Sequence, residues 1–341
     1  MGAQAAWLVV ALVVAAPVLD AGWTALTTSC FLTEFLSGGR WRPLSAITPE
    51  PVARPLPATA GGRPVAADLY SRRAMRRPSG LVLVHGLSPP GKDEPRLRQA
   101  AALLARAGWA VAVPTVDGLT RMRLRPDDAG AVVAAVEALR DAGYAPVAIL
   151  GISLGAGPGL LAAGDPLISP SVSAVLALGG YASTVELLRY TLTGAFRFEA
   201  LRGHRPPDEG AIAEFARANG DLLDDPGHRL IRNRDPEALD RLVAALPLST
   251  RSLLDDLSPA EKLERIHARL FLVHGRDDPA VPFTETLRLA RAAEGLGRPA
   301  RVAIVGGVGH VEPGRRGALA DLWRLWITFY AFRVAATVEP R

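Results

Sequence analysis

Residues 148–159, AILGISLGAGPG, constrain the rest of the chain more than any other stretch. An apolar, partly β-branched run stops at Gly151, a serine follows between two glycines, and small residues then lead into a segment able to form a helix. Gly151-Ile152-Ser153-Leu154-Gly155 is the G-x-S-x-G pattern that sets a serine on a sharp turn from strand to helix. Such a turn strains the serine's backbone, and only glycine-sized neighbours leave room for the crossing chain. The Ser153 hydroxyl is then presented rather than buried. In a chain with 33 glycines the pattern alone is a weak signal. It gains weight from a strand before it, a helix after it and partner residues at other strand ends.

At 341 residues and 49% hydrophobic content, the chain can hold one large α/β domain with an insertion, or two small domains, around a substantial core. The net charge of +5 comes almost wholly from arginine, lysine standing only at 92 and 262, and the arginines are interspersed among 34 acids. With no basic stripe and no base-recognition motif, nucleic acid is excluded as an expected partner. The single cysteine, Cys30, excludes an internal disulfide.

The first 36 residues are a separate object. Residues 5–19 carry no charge, and Trp7 and Trp23 bracket the run as interfacial anchors do. A helix between those tryptophans is about 24 Å long, slightly short of a hydrocarbon core of about 30 Å. Residues 1–36 are expected to form an N-terminal hydrophobic helix that anchors the protein to a membrane. The alternatives are a cleaved signal peptide, which would want basic residues ahead of the apolar run, and a buried helix of the folded domain. Arg40, Arg42 and Arg54 follow the run, so the positive-inside tendency favours a cytoplasmic side for the bulk of the protein. Residues 37–63, with prolines at 43, 49, 51, 55 and 57 and the pair Gly61-Gly62, read as a linker that builds no core.

The folded domain is expected over 64–341. Apolar runs predict strands at 65–70, 80–84, 109–113, 146–150, 173–178, 269–273 and 301–305, with helices at 96–107, 127–141 and after Ser153. Strands alternating with helices mean a mainly parallel sheet flanked by helices. From Tyr181 to about Ala260 this rhythm lapses. Helical pieces stand at 208–220 and 235–245, Ser258-Pro259-Ala260-Glu261 has the form of a capping box, and no strand of comparable quality interrupts them. Residues 187–257 therefore read as a helical cap inserted between two core strands, either roofing Ser153 or forming a surface excursion. The last helix, from 315 to about 336, is rich in aromatics and should pack on the sheet; resting in a membrane interface is the alternative.

Ser153, Asp278 and His310 each lie just past the C-terminal end of a predicted strand, the edge where open parallel sheets gather their functional groups. With these residues placed, the stretch from about 64 to 333 resembles the α/β-hydrolase superfamily, in the group with dienelactone-hydrolase-like and serine-peptidase-like members. The resemblance is carried by Val82-Leu83-Val84-His85-Gly86, by the turn at Ser153, by the HGxxDxxVP segment from His274 to Pro282 and by Gly309-His310. It implies the α/β-hydrolase fold. Dienelactone hydrolases carry cysteine where this chain has Ser153, so their substrate is not implied.

Acyl transfer assigns the roles. Ser153 is expected to attack a carbonyl carbon, with His310 as general base and an acid orienting the imidazole. In the family segment that acid stands three residues before a valine, here Val281, which selects Asp278; Asp277 is the alternative. The backbone amides of Leu87 and Leu154 are the expected oxyanion donors. His85 and His274 read as residues of strand-end turns. His204, His228 and His267 lack neighbours at metal-ligand spacing, and Gly155, Gly157 and Gly159 lack the dinucleotide fingerprint, so neither metal nor cofactor is expected. The expectation is a membrane-associated serine hydrolase of a small acyl substrate, lipophilic if the apolar cap and anchor are a guide. An acyltransferase or peptidase using the same three side chains, and a catalytically silent binding or scaffold protein, are the alternatives.

Overall fold

The computed structural model describes residues 2–73, 78–222, 224–306 and 316–338, the side chains of 2–17, 222 and 316–318 excepted. The chain opens with α1 (Gly2–Leu36), whose second half buries Phe31 and Leu32 against the domain. The residues expected as a linker fold onto the domain as well. α2 (Pro43–Ile47) buries Leu44 completely, and β1 (Val52–Pro55) joins the central sheet. β2 (Thr59–Ala60) and β3 (Arg63–Pro64) form a small hairpin, and β4 (Ala67–Ser71) pairs antiparallel with β1. The prolines that pointed to a linker are compatible with β1 because it is an edge strand, where a missing amide hydrogen breaks no ladder.

The alternating part then runs as expected. β5 (Gly80–Val84) is buried throughout, α3 (Pro95–Ala107) starts with the Glu94 carboxylate accepting the Leu97 amide hydrogen at 2.6 Å, and β6 (Ala110–Pro114) follows. The short α4 (Asp117–Thr120) and α5 (Asp128–Asp141) lead to β7 (Val147–Ile152), α6 (Ala156–Ala163) and β8 (Val172–Leu178).

The insertion comprises α7 (Thr184–Thr193), β9 (Ala195–Phe198), β10 (Leu201–His204), α8 (Glu209–Asn219), α9 (Asp225–Ile231), α10 (Leu239–Ala244) and α11 (Leu248–Asp256). It is helical except for the β9–β10 hairpin, which sequence patterning did not distinguish because its strands are only four residues long, and the helices enclose a small satellite core. That core gathers Leu192, Ile212, Leu230 and Leu239. Buried Arg189 ties it together by bonding Glu186, the Pro236 carbonyl and Asp240. The capping box at 258–261 is not used as one. Ser258 Oγ accepts the Thr184 amide hydrogen at 3.0 Å and donates to Leu254 O at 2.8 Å, so 259–265 forms 3₁₀ turns without a side-chain cap.

β11 (Arg269–Gly275), α12 (Thr284–Gly295), β12 (Arg301–Val305) and α13 (Arg316–Ala336) complete the chain. The eight-stranded sheet runs β1-β4-β6-β5-β7-β8-β11-β12, parallel from β6 onward. α5, α6 and α12 cover one face and α1, α3 and α13 the other. α13 packs Phe329 and Phe332 inward, with Phe31 of α1 stacked on Phe329 at 4.7 Å. Buried Arg333 joins three helices: it donates to Thr24 O, Thr27 Oγ1 and Thr28 Oγ1 on α1 and to Ala107 O at the end of α3, with Trp109 beneath it. Burial lowers its pKa to about 10. Among the described residues no helix is long and apolar enough to cross a membrane; the side chains of the apolar stretch up to residue 17 lie outside them.

Candidate active site

Ser153 follows β7 directly, with φ +53°, a backbone conformation that costs a non-glycine residue on the order of 1–3 kcal/mol. The tight crossing explains its neighbours. A Cβ on Gly155 would run into the His85 carbonyl, and one on Gly86 would sit 3.1 Å from Ser153 Cβ. These glycines let the 85–87 loop pass against the turn, and Ser153 remains half-buried rather than enclosed.

The loop after β5 is held from below. His85 is buried, accepts the Val116 amide hydrogen on Nε2 at 3.0 Å and donates from Nδ1 to Gly86 O at 2.7 Å. That pairing defines a neutral tautomer, and burial lowers its pKa. Among the described residues the Leu87 amide hydrogen has no acceptor. Leu154 is the second residue of the short helical turn that opens at Ser153, where the first amide hydrogens lack intrahelical partners.

Asp278 lies past β11, separated from the Ser153 strand by β8. Its Oδ1 accepts the amide hydrogens of Ala280 and Val281 at 2.8 and 3.1 Å. Its Oδ2 faces Gly179 at the end of β8, where φ is +66° and an added Cβ would come within 3.2 Å. Asp277, the alternative acid, is exposed, and its carbonyl accepts from Arg205 at 3.2 Å. His310 lies outside the described residues; the chain enters its segment from Gly306, just past β12 on the same sheet edge.

The sequence did not reveal what secures the Asp278 loop. His274, fully buried, donates from Nε2 to Val281 O at 2.9 Å and accepts on Nδ1 from the Thr286 hydroxyl at 2.7 Å. Burial lowers its pKa, so it serves as a neutral brace. Tyr190 of α7 donates toward the carbonyls of Asp278 and Pro279 at 3.4 and 3.3 Å. On the far side of Ser153, Arg123 pairs with Asp221 at 2.6 Å and Asn219 donates to Met122 O at 3.4 Å. The insertion thus grips loops on both sides of the serine and bridges the edge above it. Its Leu187 packs with Tyr181 and Val281, flanked by Leu124 and Leu154. Sequence signals for these grips were absent because each is a single polar residue whose partner lies in another element or loop.

Buried Asp128 organises the 118–125 loop by accepting the amide hydrogens of Gly118 and Arg125 at 3.0 and 2.8 Å. Desolvation raises its pKa from 3.8 to about 6. Among the described residues no group of three or more His, Cys, Asp or Glu could hold a metal ion.

A model of the alpha/beta hydrolase family matches residues 81–322. No curated protein matches the chain. Among solved structures, a Mycobacterium tuberculosis puromycin-hydrolyzing peptidase is 23% identical with a TM-score of 0.55, covering 85% of this chain and 40% of its own. The acylaminoacyl peptidase of Pyrococcus horikoshii is 16% identical with a TM-score of 0.54, covering 85% of this chain and 42% of its own. The chain therefore spans about two fifths of the length of these peptidases, and at such identities the likeness is one of fold.

Proposed function

Because the chain belongs to the alpha/beta hydrolase family, we propose that it is a serine hydrolase cleaving an ester or related acyl bond through an acyl-enzyme on Ser153. The observation that carries this is the half-buried serine at φ +53° beside the Leu87 backbone amide, which has no acceptor among the described residues. An unassisted hydroxyl is a weak nucleophile, so His310 takes its proton and later returns it to the leaving group. Asp278, whose second oxygen is not used by its own loop, fixes the imidazole and stabilises its charged form. The amides of Leu87 and Leu154 receive the negative oxygen of the tetrahedral intermediate, each worth about 3 kcal/mol of barrier. Water then releases the acid, with no cofactor required.

Peptide-bond cleavage is the second reading, supported by peptidases being among the similar structures. The apolar patch of Leu124, Leu154, Leu187 and Val281 beside the serine supports a lipophilic acyl group. Membrane attachment through α1, with the bulk of the protein on the cytoplasmic side, belongs to the same proposal.

The test is labelling by a fluorophosphonate probe together with hydrolysis of a series of acyl esters. Ser153→Ala and His310→Ala should both lose labelling. Asp278→Asn should lower kcat by roughly 10³–10⁴-fold, whereas exposed Asp277→Asn should stay within about threefold of the parent. A folded parent protein that takes up no probe would sink the proposal.

A further inference from the structure

A groove of about 670 Å³ opens at the end of the sheet opposite Ser153. Its polar lining is Arg269, Arg298, Arg301, His267 and Tyr330, beside apolar residues that include Phe271 and Ile327. No carboxylate lines it among the described residues. Arg269 and Arg301 are the first residues of β11 and β12 and are exposed. Arg298 is fixed by donating to the carbonyls of Ile266 and Glu264.

The same end of the sheet receives α1. Arg333 binds Thr24 of α1 together with Ala107, three residues before β6 begins. Ser173 at the start of β8 lies against the carbonyls of Val147 and Ala336. α1 runs antiparallel to α13, since Phe31 meets Phe329 while Thr24 meets Arg333. Moving from Phe31 toward the N-terminus therefore leads out past the starts of the strands. The helix preceding Thr24 extends about 33 Å in that direction, and its sequence holds the uncharged run 5–19.

We propose that this end of the domain is its membrane-facing surface, and that the Arg269–Arg301 groove receives the headgroups of an anionic phospholipid bilayer. Two independent features agree on that occupant: an uncharged apolar helix leaving from this end, and an arginine-lined groove with apolar residues beside the arginines. The first matches hydrocarbon, the second a phosphate above acyl chains. The active-site edge then points away from the bilayer. The inference rests on the membrane placement of α1 and is independent of the hydrolase assignment.

The experiment uses the full chain, purified in detergent and transferred to vesicles of phosphatidylcholine alone or of phosphatidylcholine with phosphatidylglycerol. Each arginine near an anionic surface is worth about fivefold in partitioning, so the R269Q/R301Q double variant should lose on the order of 25-fold of the preference for anionic vesicles. Its binding to phosphatidylcholine should match the parent, because α1 is unaltered, and an unchanged circular dichroism spectrum and thermal midpoint check that it is folded. Parent protein with no anionic preference, or a folded double variant that keeps it, overturns the groove assignment. Parent protein that ignores phosphatidylcholine but binds the anionic vesicles through the arginines overturns the role of α1 while supporting the groove.

Discussion

Ser153 and Asp278 show how far a residue can be read before the chain is folded. The strain at Ser153 follows from the glycines around it, which is a local property. The resemblance to the family segment pointed to Asp278 over Asp277; in the structure the Asp278 carboxylate accepts two amide hydrogens and Asp277 is exposed. Asp128 was not legible, because nothing near it in sequence announces that it is buried. Its raised pKa has a definite consequence. Between about pH 4 and pH 6 the native state holds a proton that the unfolded chain has released, so this group's contribution to stability falls as pH rises through that window. Denaturant titrations across it should show a flatter pH profile for Asp128→Asn than for the parent.

Elements with a full apolar pattern were readable from sequence, and those defined by a partner were not. β5 and β12 fall on the expected residues because each is a complete β-rich run. β1 was hidden by prolines that only an edge position tolerates, and β9–β10 by strands of only four residues. The insertion holds together through Arg189, which is 2% exposed and serves two carboxylates and a carbonyl. Arg189→Met removes the buried donor to the Pro236 carbonyl and leaves Asp240 and Glu186 to Arg197 and Arg288. It should lower stability by about 2 kcal/mol, the half-exposed Asp240 limiting the loss. Limited proteolysis should cut first within 205–250, earlier than in the parent.

Across the whole molecule, Arg333 links α13, α1 and the end of α3, and so decides how the apolar helix leaves the domain. Arg333→Met removes a buried donor from four oxygen acceptors. A stability loss of about 3 kcal/mol in urea unfolding is expected, with Trp109 fluorescence reporting the local loosening. Retention of the parent midpoint would show that α1 is held by its apolar contacts alone.

The sequence by itself determined the strand-helix alternation and the turn at Ser153, because each depends on residues close together in the chain and on periodicity or backbone sterics. Only the tertiary structure decided that residues 43–60 belong to the domain, that His274 and Tyr190 brace the Asp278 loop, and that α1 and the arginine groove share one end of the sheet. Those features depend on which surfaces meet after the sheet closes. A single buried polar contact between distant segments leaves no periodic trace in the chain.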